Sequence, residues 1–423
     1  MEITIIAIFI IGYLAITLEH SIQINKAATA LLTGVLCWTI YILSASDNHL
    51  ISEQLTKHIG EISGIVFFLM GAMTIVELID AHDGFEVITN SITTLNKRKL
   101  IWIICFITFF LSAVLDNLTT TIVMVSILRK LISDKNDRML FTGMIIIAAN
   151  AGGAWSPIGD VTTTMLWIGG QVTSENILLK LLAPSLVCLV IPLTIVSFML
   201  KGTLEKPAIH TNDDKPNASI PERNIMFFSG LGILLFVPVF KIITHLPPYM
   251  GMLSGLGLIW IISELIHKDK DESDKSTYSV LHALRKIDMP SILFFLGILI
   301  SISALQSTGQ LAQLASVMDK KIGDINLIVL SIGLLSAIVD NVPLVAAAMG
   351  MYDLHTYPVD HHFWEFLAYC SGTGGSVLII GSAAGVAAMG IEKIEFFWYL
   401  KKISWLALLG YFSGAIVYIV LYK

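Results

Sequence analysis

Apolar runs follow one another along all 423 residues, most of them close to the ~20 residues a membrane-crossing helix needs. Ten read as spans: about 3–18, 27–45, 62–80, 139–170, 178–200, 225–243, 249–266, 290–306, 363–391 and 402–421. Two further stretches, about 99–132 and 324–352, follow another pattern. In each, two apolar arms of about 15 residues flank a polar centre, SAVLDNLTTT in the first and SAIVDNVPLV in the second. One arm at 1.5 Å per residue covers about 22 Å, short of the ~30 Å hydrocarbon core, and two arms end to end overshoot it. A re-entrant hairpin with its tip near mid-membrane fits both lengths.

Charge placement supports the hairpin. Lys97, Arg98 and Lys99 precede the first one, and Arg129, Lys130, Lys135 and Arg138 follow it. Both ends therefore face the cytoplasm by the positive-inside rule, which a single crossing forbids. Threading the other spans from that anchor puts both termini outside and gathers most Lys and Arg residues into cytoplasmic loops. The opening MEITIIAIFIIGYLAI has no basic flank and no small-residue cleavage site, so it reads as the first span rather than a signal peptide. The polar stretches 201–224 and 267–288 read as cytoplasmic linkers, the first separating a half at 1–200 from a half at 225–423.

The halves repeat. LSAVLDN (111–117) matches LSAIVDN (335–341), and FFLMGAMTI (67–75) echoes FFLGILISI (294–302). NAGGAWSPIGD (150–160) matches GTGGSVLIIGS (372–382) through GG, four residues, Ile and Gly. Five crossings per half, an odd number, turn the second half upside down relative to the first. The expected architecture is an all-α polytopic membrane protein of two inverted-topology repeats. Each repeat has three spans, a re-entrant hairpin, a broken helix (about 139–170 and 363–391) and a final span, the sequence mark of a secondary transporter with a midplane site.

Composition agrees: 55% of residues are hydrophobic and 14% charged, against about 25% charged in a soluble domain. The net charge of −6 resides in loops, and no basic patch suggests nucleic acid. Cys37, Cys105, Cys188 and Cys370 stand singly in apolar segments, so neither a disulfide framework nor a metal motif is indicated, and no cofactor is expected.

The chemistry gathers at the interruptions. Asp116 and Asp340 occupy equivalent hairpin tips, and a carboxylate at that depth costs at least ~2.5 kcal/mol. Capping the returning arm is the structural alternative, although Asn117 and Asn341 are able to cap without a charge. A helix broken at 150–160 or 372–382 exposes carbonyls that attract a cation; close packing through small residues is the alternative for Gly374 and Gly375. Asp160, with Thr162, Thr163 and Thr164 behind it, is not explained by packing. Hard cations prefer oxygen ligands. Ser112, Asp116, Asn117, Thr119 and Thr120 beside Asn150, Gly152, Ser156 and Asp160 offer one set. Ser336, Asp340 and Asn341 beside Ser371, Thr373, Gly374, Ser376 and Ser382 offer a second. Burial favours a protonated carboxyl and a bound cation the ionised one, so Na+ (or Li+) and H+ compete for the same oxygens. Alternating access then suffices for exchange. Glu77 reads equally as a proton relay or an interfacial carboxylate, and His82 as an exposed loop histidine. Glu19, Glu264 and Glu365 fall at span ends.

FFLMGAMTIVELIDAHDGF, LSAVLDNLTTTIVMVSILRKL and AANAGGAWSPIGDVTTTMLWI together resemble the NhaD-type sodium/proton antiporters of bacteria and plastids. These belong to the ion transporter superfamily, which also holds dicarboxylate/sodium symporters and arsenite exporters. The resemblance implies a scaffold domain from the first three spans of each half and a transport domain from hairpins and broken helices. It further implies a homodimer with an elevator motion, a place in the cell inner membrane (or a plastid envelope), and roles in pH homeostasis and salt tolerance. Dicarboxylate relatives carry Ser-Asn-Thr at each tip, where the threonine meets the substrate carboxylate. Here the tips read Asp116-Asn117-Leu118 and Asp340-Asn341-Val342, which favours a cation-only cargo over a sodium-coupled anion or arsenite carrier. An intramembrane aspartyl protease, which resembles others through Gly-x-Gly-Asp, is a poorer fit: the chain has Pro157-Ile158-Gly159-Asp160, and the repeat would go unexplained.

Overall fold

The computed structural model describes residues 2–44, 48–204, 218–268 and 278–422. Residues 205–217 and 269–277, the greater part of the two expected linkers, lie outside these. Among the described residues every regular element is an α-helix, with one isolated antiparallel bridge between Asn96 and Thr203. That bridge ties the start of the 201–224 stretch to the base of the helix Lys97–Ser112.

Seven described helices are long and apolar enough to cross a membrane: Lys26–Leu43, Asn48–Ala81, Ser174–Met199, Ile220–Thr244, Pro248–Ile266, Met289–Ser307 and Ser404–Tyr422. Glu2–Thr17 is apolar but has only 16 residues. The other expected crossings are interrupted. Lys135–Ala154 and Val161–Ile168 form one, His362–Gly374 and Ala383–Glu392 the other. The hairpin arms are Lys97–Ser112 with Asn117–Leu131, and Ile325–Leu335 with Asn341–Met351. Asp116, Asp160, Asp340 and Ser382 each cap the helix that follows, accepting a bond from its first turn.

Two boundaries and the burial of one histidine differ from expectation. The span placed at 62–80 belongs to a single 34-residue helix, Asn48–Ala81, because Ile51 and Leu55 continue the apolar stripe and Ile51 is buried. The span placed at 225 starts at Ile220, where Ser219 and Glu222 form a capping box. His82, expected on an exposed loop, is fully buried. The turn after Ala81 folds it inward, so Nδ1 lies 2.7 Å from the Leu78 carbonyl oxygen and Nε2 lies 2.8 Å from His267 Nε2.

Packing partners are exchanged between the halves in matched pairs. Met289–Ser307 packs on Lys26–Leu43, and Asn48–Ala81 packs on Pro248–Ile266, so the third long helix of each half lies against the second of the other. Ala383–Glu392 packs on Asn117–Leu131, and Val161–Ile168 on Asn341–Met351. The first segments of the two broken helices touch each other, as do the two final spans. Glycines permit close backbone approaches at corresponding places in the two sequence halves. A Cβ on Gly152 would collide with the Phe109 carbonyl, and one on Gly374 with the carbonyl of Gly333. Gly159 approaches the Ser112 carbonyl as Gly381 approaches that of Ala337. Outward, apolar side chains such as Ile11, Phe198, Ile243, Leu265 and Val420 stay exposed, as a lipid-facing surface requires.

Candidate functional site

The first broken helix loses its backbone ladder after Ala154 and restarts at Val161. Between these segments the first hairpin tip is pinned against it. Ser112 Oγ donates to the Ala149 carbonyl at 2.6 Å, and Ser156 Oγ to the Ala113 carbonyl at 2.5 Å. These bonds bring the tip asparagine onto the break. Asn117 Nδ2 donates both to Asn150 Oδ1 at 3.0 Å and to Asp160 Oδ2 at 2.6 Å. Asn150 Nδ2 then donates across the molecule to Ser376 Oγ at 2.9 Å and Ser382 Oγ at 3.0 Å. One amide chain thus runs from the first tip through both helix breaks. Asn117, Asn150, Asp160, Ser376 and Ser382 are all buried.

Asp160 Oδ1 accepts the Thr162 amide at 2.8 Å and its hydroxyl at 2.5 Å. Asp116 Oδ1 accepts the Thr119 amide at 2.8 Å, and its Oδ2 the Thr119 hydroxyl at 2.7 Å. Both carboxylates therefore cap, yet neither fills the about four acceptor directions of an ionised carboxylate. Asp116 also has φ +130°, a region that favours glycine and costs about 1–3 kcal/mol for other residues. Asparagine or serine caps as well, so capping alone does not account for a strained, charged residue here. The buried hydroxyls of Thr120 and Thr163 make no hydrogen bond.

The second tip is arranged differently. Asp340 caps less closely, 3.3 Å from the Val342 amide, with φ −46°. Its Oδ2 lies 3.8 Å from Lys26 Nζ. Asn341 is buried, but its side chain makes none of the bonds Asn117 makes. The reason lies in the repeat register: Gly372 stands where the first half has Asn150, and Ser382 where it has Asp160. Ser336 Oγ stays mainly within its own arm, 2.7 Å from the Gly333 carbonyl and 3.4 Å from that of Ser371. Thr373 donates to the Tyr369 carbonyl in its own helix. Gly152 and Gly374 serve the close approach of broken helix to hairpin arm.

Two spaces connect these groups to the surface. A small cavity of about 40 Å³ is lined by Asp116, Asn117, Asp340, Lys26 and apolar neighbours including Phe68 and Phe295, roomy enough for a water-sized guest. Beside it opens a cleft of about 550 Å³ carrying Glu19, Glu77, Asp80, Asp83, Glu86 and Asp288 against Lys26, Lys130 and Lys286. Lys26, Met73, Leu118, Ser291 and Ala383 line both spaces. Glu77 sits in this cleft 3.3 Å from Lys286 Nζ. Among the described residues no three His, Cys, Asp or Glu side chains converge on one point; Asp160 reaches the small cavity's lining through Asn117. The sequence pattern does not single out Lys26, whose ammonium stands 3.8 Å from Asp340. The pattern also places Glu365 at an unremarkable span end. Glu365 is buried, held by Lys180 at 2.7 Å and the Tyr418 hydroxyl at 2.7 Å.

Comparison with known proteins places the chain in a family. A profile described as "Citrate transporter" (CitMHS) matches residues 6–364. "Sodium/proton antiporter 1" of Arabidopsis thaliana is 48% identical, over 100% of this chain and 73% of its own length. "Sodium/proton antiporter 2" of the same plant is 47% identical over 98% of this chain and 99% of its own. The "Na(+)/H(+) antiporter NhaD" of Alkalimonas amylolytica is 28% identical over 98% of this chain and 89% of its own. Among solved structures, the YdaH transporter of Alcanivorax borkumensis shares the fold at a TM-score of 0.58 and 11% identity, with 89% of each chain covered. The chain therefore belongs to the citrate-transporter (CitMHS) family, a family of multi-pass membrane transporters rather than enzymes, alongside the NhaD-type sodium/proton antiporters.

Proposed function

We propose that this protein is a sodium/proton antiporter in which Na+ (or Li+) and H+ compete for the carboxylates of half-buried Asp116 and buried Asp160. The observation that carries the reading is the amide of Asn117, which bridges Asn150 to Asp160 directly beside Asp116 at the break of the first half. A sodium ion there meets carboxylate, amide and hydroxyl oxygens, the ligand class a hard cation takes. A proton meets the same carboxylates, so loading one ion releases the other. Relatives bearing antiporter names over nearly the full chain support the same reading.

The exchanged packing partners and paired glycine contacts support two inverted repeats, 1–200 and 225–423, joined by a cytoplasmic linker. On this reading the long helices of both halves form the scaffold, and the hairpins, broken helices and final spans move together. Ion pairs agree with the expected sidedness. Lys97–Asp137, Arg138–Glu392, Arg223–Glu86 and Lys286–Glu77 each join segments expected at the cytoplasmic face, and Lys180–Glu365 joins two expected outside. The acidic cleft then opens to the cytoplasm and attracts the cation that is exported as protons enter. Homodimerisation, an inner-membrane or plastid-envelope location, and both termini outside complete the proposal.

An anion carrier is the competing reading, favoured by one feature: the helix N-termini at Asn117, Val161, Asn341 and Ala383 lie about one region, and such termini attract anions. Asp116, Asp160 and Asp340 already supply carboxylates there, which leaves a carboxylate substrate repelled. Everted membrane vesicles with an acid interior decide between the two. Sodium or lithium should collapse the gradient, with the effect lost in Asp160→Asn. Sodium-driven citrate uptake with no cation-induced proton release would establish the carrier reading instead.

A further inference from the structure

We propose that Lys26 is a tethered counter-ion for Asp340, standing at the throat between the acidic cleft and the small cavity, which an incoming Na+ must displace. This rests on the antiporter reading and adds a residue that sets the apparent affinity for the cation. Lys26 begins the helix Lys26–Leu43, where Asn25 caps the first turn and Glu19 accepts the Lys26 backbone amide at 3.0 Å. That anchoring fixes the base of the side chain on the scaffold side. Its ammonium lies 4.5 Å from the Phe294 ring centroid and 3.8 Å from Asp340 Oδ2.

Three features make this pair a throat rather than a brace. First, Lys26 and Asp340 both line the small cavity, and Lys26 alone of the two also lines the cleft. A cation passing inward from the six acidic residues meets the ammonium before Asp340. Second, 3.8 Å exceeds hydrogen-bond length, and both side chains retain about a quarter of their exposure, 29% and 21%. The attraction is that of a loose, displaceable pair. By contrast, the Lys180–Glu365 contact is 2.7 Å, with a carboxylate only 1% exposed. Third, the pair joins a scaffold helix to a hairpin tip. The Lys97–Asp137, Arg138–Glu392 and Lys180–Glu365 pairs, by contrast, stay among the hairpin arms, broken helices and final spans. An ammonium that neutralises Asp340 while the cavity holds no cation ties the second tip to the scaffold. Sodium entering beside Asp340 supplies the same charge and frees the tip.

The test uses the full-length protein in proteoliposomes, with Na+/H+ exchange followed against sodium concentration. Removing the competitor in Lys26→Gln should lower the apparent KM for sodium about two- to fivefold, the range expected of a partly exposed pair. Lys26→Arg should keep the wild-type KM. In an Asp340→Asn background Lys26→Gln should have no further effect on KM, since the two residues then form one interaction. An unchanged KM in Lys26→Gln, or equal Lys26→Gln effects with and without Asp340, overturns the inference. Loss of maximal rate at constant KM, unrelieved by arginine, would show a merely structural role and likewise overturn it. If the wild-type protein exchanges no cation, the antiporter reading fails by itself. Thermal stabilisation of the same variants by added sodium then decides the counter-ion claim: it stands only if Lys26→Gln is stabilised at lower sodium than wild type.

Discussion

The two tips share a plan of helices and close glycine contacts and differ in chemistry and in the backbone at the aspartate. Each has a hairpin turn, an aspartate cap, a tip asparagine, and a glycine-paved contact with a broken helix. In the first half the asparagine's Nδ2 donates to both Asn150 and Asp160, and the aspartate is strained at φ +130°. In the second half Gly372 and Ser382 replace those partners, Asn341 lacks the corresponding bonds, and Asp340 is balanced by Lys26. Repeats preserve what close backbone approach demands, because a side chain there has no room. They are free to diverge where only side chains meet. Here the divergence leaves a hydrogen-bonded oxygen cluster of buried Asn117, Asn150 and Asp160 in the first half and a loose ion pair in the second.

The sharpest way to break this comparison is to neutralise the carboxylates. Asp116→Asn or Asp160→Asn should weaken apparent sodium affinity at least about 100-fold, the upper range for losing a group that supports a metal site. Ser382→Ala should cost far less, as read from exchange kinetics in vesicles. The shared glycine contacts are tested next. Gly152→Ala and Gly374→Ala should each destabilise by about 1–3 kcal/mol through overpacking, with matching losses of thermal stability in detergent. A large effect at one and none at the other would break the structural equivalence. Smaller again, Asn117→Ala should raise the sodium KM about tenfold and Asn341→Ala by less than about twofold, since only Asn117 orients a ligand carboxylate. Equal effects would make the tips functionally alike.

Much of this was legible in the sequence because apolar arm length, glycine pairs and the LSAVLDN and LSAIVDN repeat each carry a length or spacing argument. The turns between paired helices near 112–117 and 335–341 and both helix breaks were located that way, and Asp116, Asp160 and Asp340 cap the helices that follow them. Asp160 stood out because a buried charge between glycines and threonines has no packing role. What stayed hidden depends on contacts between segments far apart in sequence. Nothing near Lys26 reveals that its side chain meets Asp340 across the two halves. His82 looked exposed because its neighbours Asp80 and Asp83 are polar, whereas its burial depends on His267 at the end of another helix. Glu365 likewise gains its partners from Lys180 and Tyr418 on separate spans.

The central claim is that sodium and protons compete for the same first-half carboxylates, and calorimetry of the purified protein tests it most directly. Sodium would be titrated near neutral pH in buffers of different ionisation enthalpy, so that each proton released appears as a buffer-dependent heat. The account predicts proton release on sodium binding in wild type, and loss of both binding and release in Asp160→Asn. Sodium binding with the same heat in every buffer, or binding that survives in Asp160→Asn, would contradict it.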